Sequence, residues 1–124
     1  MTHDELGIDL KTEDGGETLL FRLRGSLDIA TAPTVRAALG EVAENSAKLT
    51  IVDLSQLEFL DSTGLGVLIG AHRRTAERGA SFRLVVHDGP IARLLAITGL
   101  SAVFAVYRNE EDARADRGRV SSAL

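Results

Sequence analysis

The sequence contains no cysteine and no tryptophan, and it has one tyrosine among 124 residues. Without cysteine, neither disulfide bonds nor thiolate metal sites can contribute. So few aromatic rings leave no platform on which nucleic-acid bases could stack. No apolar run approaches the ~20 residues that a membrane-spanning helix needs. The first residues form neither the basic nor the apolar segment of a signal peptide. We therefore expect a cytoplasmic protein that binds neither nucleic acid nor membranes.

The charge of the chain agrees with that expectation. The formal net charge is -4, and acidic residues crowd the first seventeen positions. Binding to a phosphate backbone requires clustered cations, which the sequence lacks. The hydrophobic content of 44% is typical of a folded globule, and 124 residues are enough for one domain with its own core.

Motifs of common catalytic and cofactor sites are missing. There is no Walker phosphate loop, and no glycine cluster matches the dinucleotide fingerprint. Ser62 does not lie in the G-x-S-x-G context of an esterase nucleophile. His3, His72 and His87 are too widely spaced for a metal site, and we expect them in the N-terminal segment, at the core rim and in a loop. Asp53 lacks the acidic pair that accompanies a receiver-domain phosphoacceptor. We predict no enzymatic activity, no catalytic residue, no cofactor and no metal.

Apolar periodicity predicts alternating strands and helices. Runs around residues 6–10 and 19–23 flank a turn at 13–16, which is typical of an antiparallel strand pair. The later predicted elements, in order, are a helix from about Thr31, a buried strand at Leu49–Leu54, a helix from Ser62 to Arg78 stopped by Gly79, a strand at Phe82–Val86, a helix at Pro90–Thr98 ended by Gly99, a strand at Val103–Tyr107 and a helix capped by Asn109.

This alternation predicts an α/β domain with a mixed, mostly parallel sheet and about four helices packed on it. Residues 1–115 are expected to form the domain, and residues 116–124 a disordered tail. The inward stripe of the helix that starts near Ser62 is expected to comprise Leu65, Leu68, Ile69, His72 and Ala76.

The most informative segment is Asp61-Ser62-Thr63, directly before this helix. All three residue types cap helix N-termini, because their side-chain oxygens accept hydrogen bonds from first-turn amides. Only one of the three can be the cap, so at least one hydroxyl is left at an end whose partial positive charge favours an anion. Two interpretations of the leftover hydroxyl stay open: it belongs to a phosphorylatable serine, or it is a redundant cap.

Three glycines, Gly64, Gly66 and Gly70, follow in the same helix, where each costs ~1 kcal/mol relative to alanine. A close backbone approach, either to a neighbouring strand or to a partner, would explain them. We interpret Gly70 as an internal packing residue. Gly64 and Gly66 fit packing and partner contact equally well.

The segment from Asp61 to Gly66 resembles the phosphorylation-site motif of STAS domains, in the branch of anti-sigma factor antagonists. Gly25-Ser26-Leu27-Asp28 is similar to the G-x-L-D segment that closes the second strand of the family. Val52-Asp53-Leu54-Ser55 is similar to the D-L-S that closes the third. The likeness runs from about Leu6 to about Arg114 and implies the STAS fold with a non-enzymatic, regulatory role.

The resemblance implies partner switching. The unphosphorylated protein, a monomer or weak homodimer, would bind an anti-sigma factor that is also an ATP-dependent serine kinase, and would so free a sigma factor for transcription. The kinase would then modify Ser62, in preference to Thr63, and the complex would dissociate; a metal-dependent serine phosphatase would reset the switch. The implied partner-binding residues are Asp28, Asp61, Ser62, Thr63, Gly64 and Gly66.

Other roles stay open at this point. STAS domains also serve as subunits of lipid-transport ATPase complexes or of stress-signalling assemblies, where the helix start would be a docking surface without phosphorylation. A nucleotide-binding module at the same helix N-terminus is a third possibility. Asp28 fits turn stabilisation as well as partner contact, and Asp53 is more typical of a residue that binds nearby amides. Arg73 and Arg74 are expected on a solvated helix face.

Overall fold

The computed structural model describes residues 6–43 and 47–120. Within these ranges the strands and α-helices are β1 (Gly7–Glu13), β2 (Thr18–Leu27), α1 (Ala32–Ala43), β3 (Leu49–Leu60), α2 (Ser62–Glu77), β4 (Ser81–Val85), α3 (Pro90–Ile97), β5 (Ala105–Tyr107) and α4 (Glu110–Ala115). Short 3-10 turns at Asp14–Gly16 and Leu100–Ala102 precede β2 and β5. His3 lies outside the described residues. No helix in the described ranges has both the length and the apolar character needed to cross a membrane.

The strands form one five-stranded sheet in the order β1-β2-β3-β4-β5. β1 is antiparallel to β2, and the other neighbouring strands are parallel. The predicted α/β domain with a mixed, mostly parallel sheet is therefore confirmed. Gly79 and Gly99 follow α2 and α3 with φ of 74° and 77°, the left-handed conformation that ends a helix, as predicted.

Apolar residues cover both faces of the sheet, but unequally. The larger cluster lies between the sheet and helices α1, α2 and α3, and includes Phe21, Val52 and Leu68. The smaller cluster lies under α4 and consists of Leu20, Ile51, Val85, Tyr107 and Ala113. Because both faces are covered, the central strand β3 has a continuous run of buried residues from Thr50 to Leu54.

Strand β3 is six residues longer than predicted, since it continues from Leu54 to Leu60. The extension pairs with the end of β2 across two register shifts, one of them next to Gly25, whose φ is 89°. A bulge of this kind breaks the regular alternation of inward and outward side chains. The apolar periodicity therefore predicted the strand only as far as Leu54. The D-L-S segment lies inside the strand rather than at its end.

Residues 116–120, which were expected to belong to a disordered tail, contact the fold. The hydroxyl of Tyr107 donates a hydrogen bond to the carboxylate of Asp116. The guanidinium of Arg119 donates to the carbonyl of Phe104, and the amide of Val120 donates to the carbonyl of Val106 at 2.7 Å. The remaining residues of the predicted tail, 121–124, lie outside the described ranges.

Candidate functional site

Asp61 is the cap of helix α2. Its backbone is extended, and its Oδ1 accepts a hydrogen bond from the amide of Gly64 at 2.9 Å. The prediction that one of three adjacent residues caps this helix is confirmed. Neither the hydroxyl of Ser62 nor that of Thr63 has a hydrogen-bond partner in the part of the chain that the structure describes.

The second carboxylate oxygen of Asp61 connects α2 to the loop after β2. Oδ2 accepts a hydrogen bond from the amide of Ile29 at 3.3 Å. In addition, the amide of Asp61 donates to the carbonyl of Leu27 at 3.3 Å. These bonds hold the start of α2 against the loop independently of the Ser62 side chain.

The loop after β2 is organised by Asp28. Its Oδ1 accepts hydrogen bonds from the amides of Ala30 and Thr31 at 2.9 and 3.0 Å, and its own amide donates to the hydroxyl of Thr31. This is the turn-stabilising role, one of the two interpretations of Asp28. The turn leaves the apolar residue Ile29 with 74% of its surface exposed. No sequence motif indicates a role for this residue.

Ser62 occupies the first turn of α2 and is exposed, whereas Thr63 is half-buried. The first amides of any helix have no acceptor inside the helix, so the Ser62 hydroxyl lies where a negative charge is favoured. We use the name Ser62 face for the surface formed by Ile29, Asp61, Ser62 and Gly66. The two linking bonds of Asp61 bring Ile29 to the start of α2, and Gly66 lies one helical turn after Ser62.

The three glycines of α2 differ in the space that a side chain would find at each position. A Cβ on Gly64 would lie 2.6 Å from the carbonyl oxygen of Leu27 and 2.7 Å from the Leu60 side chain, so only glycine fits against the sheet. A Cβ on Gly66 would meet nothing within 4 Å. At Gly70 it would meet only the flexible end of Arg74, at 3.2 Å. The packing interpretation of Gly70 was therefore wrong, and Gly64 is the packing glycine.

The buried face of α2 also differs from the predicted stripe. The buried residues are Gly64, Leu65, Val67, Leu68, Ala71 and Thr75. Ile69 and His72 are half-buried, and Ala76 is exposed. The prediction favoured bulky apolar residues, but small residues also pack against the sheet on this face of α2. Thr75 can be buried because its hydroxyl donates a hydrogen bond to the carbonyl of Ala71 at 2.7 Å.

Comparison with known proteins places this arrangement in a family. The STAS domain family model matches residues 8–113. The chain belongs to the STAS domain family. The resemblance drawn from the three sequence segments is thereby confirmed.

Relatives of this STAS domain carry consistent names. An anti-sigma F factor antagonist of Paenibacillus polymyxa is 29% identical over 109 residues, which are 87% of this chain and 93% of the relative. An anti-sigma-B factor antagonist of Listeria monocytogenes is 32% identical over 105 residues, 85% of this chain and 91% of the relative. The crystal structure of an anti-sigma factor antagonist from Mycobacterium paratuberculosis is 29% identical, has a TM-score of 0.78, and covers 89% of this chain and 93% of its own.

The histidines of the STAS domain lie where the sequence placed them, as far as they are described. His72 is half-buried at the core rim, with its ring edge-on to Phe82 and Phe104 at centroid distances of 5.9 and 5.5 Å. His87 is exposed in the loop after β4. Among the described residues, no group of three His, Cys, Asp or Glu side chains could hold a metal ion.

Asp53 belongs to a charged cluster under α4, on the other face of the sheet. It accepts a hydrogen bond from the amide of Ser55 at 2.8 Å, as predicted for a residue that binds nearby amides. Burial, reinforced by the nearby Glu110 carboxylate, raises the pKa of Asp53. Arg22 binds Glu110 through two hydrogen bonds of 2.7 and 2.8 Å and lowers the pKa of Glu110 to about 2.

A second ion pair completes this cluster. Arg114 of α4 donates two hydrogen bonds, of 2.7 and 2.9 Å, to Glu13 at the end of β1, and these bonds lower the pKa of Glu13. The cluster fastens α4 to β1 and β2 and has no part in the Ser62 face. No local pattern in the sequence indicates this cluster, because the paired residues lie 88 and 101 positions apart.

Proposed function

We propose that this STAS domain is an anti-sigma factor antagonist whose binding is switched off by phosphorylation of Ser62. Its partner is an anti-sigma factor that is also a serine kinase, and a serine phosphatase restores the binding form. The names of the relatives support the antagonist role. The observation that carries the switch is the exposed, unbonded Ser62 hydroxyl beside a helix cap already supplied by Asp61.

A phosphate on Ser62 would act mainly on the partner. It adds a charge of roughly -1.5 to -2 and three acceptor oxygens. The N-terminus of α2 can accommodate that charge, since its amides carry partial positive charge. The neighbouring cap and loop bonds use Asp61, so they survive the modification. A partner surface fitted to a neutral hydroxyl beside Ile29 and Gly66 would instead meet a bulky dianion, and the complex would dissociate.

The two candidate acceptors differ in access. Ser62 is exposed, whereas Thr63 is half-buried and carries a branched Cβ. A kinase must place the γ-phosphate in line with the attacking hydroxyl, and the exposed, unbranched side chain meets that demand more easily. We therefore assign the phosphate to Ser62.

The proposal is tested by incubating the protein with ATP and each purified anti-sigma factor kinase of the source genome, followed by peptide mass spectrometry. We expect phosphate on Ser62, no phosphate on the Ser62→Ala variant, and unchanged modification of Thr63→Val. Phosphate found on Thr63 alone would overturn the acceptor assignment. If no kinase of this class modifies or binds the protein, the proposed function is wrong.

A further inference from the structure

An exposed stripe runs along α2 from Ser62 toward its other end. Positions 62, 66, 69, 73 and 76 follow the i, i+4, i+7 spacing of a single helix face. Ser62, Gly66, Arg73 and Ala76 are exposed and Ile69 is half-buried, whereas the residues buried against the sheet lie on the opposite side. At 1.5 Å per residue, the stripe extends ~16 Å from Ser62 to Arg73.

The far end of this stripe borders a shallow groove. Its volume is about 430 Å³, and it lies between α2 and the segment that precedes β5. We use the name α2 groove for the surface lined by Ile69, His72, Arg73, Ala76, Glu77 and Val103. Val103 has 48% of its surface exposed. The groove thus offers apolar contact area on the same side of α2 as the proposed phosphorylation site.

The α2 groove is lined by one residue of each charge, Arg73 and Glu77, and Arg73 is the one that lies on the exposed stripe with Ser62. Arg73 is exposed and makes no ion pair within the described ranges, unlike Arg22 and Arg114 on the other face of the sheet. An unpaired guanidinium next to an apolar groove suits a partner helix that inserts an apolar side chain and carries a carboxylate beside it.

The size of a stable interface points the same way. A specific complex buries ~800 Å² on each partner, roughly 20 residues a side, which is more than the few residues of the Ser62 face. A partner that covers Ser62 and continues along the exposed stripe reaches the α2 groove without leaving α2. A second copy of this chain in the groove would compete with that partner for the same helix.

We propose that the anti-sigma factor that binds the Ser62 face also occupies the α2 groove, with an apolar side chain between Ile69 and Val103 and an acidic residue against Arg73. This inference rests on the proposed function. It places Ser62 between two apolar contacts, Ile29 on one side and the groove on the other. The phosphate would then arise within the buried part of the interface, where an uncompensated charge is most costly.

The test compares charge-introducing variants inside and outside the α2 groove. Val103→Glu and Arg73→Glu change the groove. Ile97→Glu and Arg93→Glu are matched controls on α3, because Ile97 is 76% exposed, Arg93 is exposed, and neither lines the groove. Affinity for the purified kinase that binds the wild type is measured by titration calorimetry. We expect the groove variants to bind at least tenfold more weakly and the controls to stay within twofold.

Each contrary result has a distinct meaning. If the groove variants bind like the wild type while Ser62→Asp binds weakly, the groove inference is wrong and the proposed function stands. If no anti-sigma factor kinase binds the wild type, the proposed function fails and the groove inference fails with it. If the wild type sediments as a dimer that Val103→Glu dissociates, the occupant is a second copy and the inference is overturned. Circular dichroism checks folding, and Val103→Ser replaces Val103→Glu if the latter unfolds.

Discussion

Asp61 accepts a hydrogen bond from the backbone amide of Ile29, a residue 32 positions earlier in the chain. The same carboxylate caps α2 through the amide of Gly64. One side chain therefore fixes both the direction of the helix and the place of the loop that exposes Ile29. Ser62 takes no part in these bonds, so it is available for modification without loss of the local fold.

The two bonds of Asp61 can be separated by substitution. Asp61→Asn keeps an oxygen for Gly64, and asparagine caps as well as aspartate, but its amide group cannot accept from Ile29. Asp61→Ala removes both bonds. We expect the free energy of unfolding to fall by about 1 kcal/mol for asparagine and by about 2 kcal/mol for alanine in urea titrations. Ser62→Ala, the control, should change it by less than ~0.5 kcal/mol. Equal losses for the two Asp61 variants would contradict a role for the Ile29 bond.

The glycines at 64 and 66 should respond oppositely to alanine. Gly64→Ala forces a Cβ to within 2.6 Å of a backbone oxygen, and such overpacking typically costs 1–3 kcal/mol, which the ~1 kcal/mol gain in helix propensity offsets only in part. Gly66→Ala places its Cβ in open space and should stabilise the fold by up to ~1 kcal/mol. Thermal unfolding followed by circular dichroism compares them. A destabilised Gly66→Ala variant would show that the space beside Gly66 is not open.

A larger side chain at position 66 tests the Ser62 face itself. Gly66→Leu should leave the domain folded, because nothing lies near that Cβ, but it should weaken binding to the anti-sigma factor by at least tenfold. The affinity is measured by titration calorimetry after the thermal midpoint is shown not to have fallen, since leucine also favours the helix more than glycine does. Normal affinity in a folded Gly66→Leu variant would exclude close partner approach at this position.

The charged cluster under α4 predicts how acid affects stability. The pKa of Glu110 in the folded protein is about 2, below its ordinary value of 4.5. The stabilising contribution of Glu110 is therefore complete above pH 4.5 and is lost as the pH falls toward 2. Asp53 acts in the opposite direction: its pKa is raised, so its contribution is greatest at low pH and is lost as pH rises through the raised value.

Glu110→Gln isolates the contribution of Glu110. At neutral pH we expect it to cost roughly 1 kcal/mol, since Arg22 is partly exposed to solvent. Between pH 4.5 and 2 its free energy of unfolding should fall less steeply than that of the wild type, although the ion pair between Glu13 and Arg114 leaves some slope. Urea unfolding across this range compares it with the control Glu111→Gln on the exposed side of α4. Parallel curves for Glu110→Gln and the wild type would contradict this account.

Local signals in the sequence were enough for the element order and for the helix start at Ser62. Glycine stops, capping residue types and apolar alternation are read within a few positions. They located the helix stops at Gly79 and Gly99 and narrowed the cap of α2 to residues 61–63, but they did not distinguish Asp61 from its two neighbours. The end of β3 was misplaced because two register shifts against β2 break the alternation of side chains beyond Asp53. The glycine roles depended on what faces each Cβ across the sheet, which no spacing within the helix reveals.

The residues around Ser62 illustrate the same limit. The serine itself was identified from its neighbours in the chain. Ile29 was not, because its approach to Asp61 depends on the parallel pairing of β2 with β3. Ile69 and Arg73 share a stripe with Ser62 by helical spacing, but the α2 groove beside them also requires Val103 from a segment 30 positions further on.

The central claim is that the charge at position 62 decides binding. Ser62→Ala keeps a small neutral side chain, so it should bind the anti-sigma factor as tightly as the wild type and resist release by ATP. Ser62→Asp places a carboxylate at the same helix N-terminus, with less charge than a phosphate, and should mimic the modified state in part. Titration calorimetry of both variants against the anti-sigma factor is the most direct test. We expect clearly weaker binding by the aspartate variant alone, and equal affinities of the two variants would contradict a charge switch at Ser62.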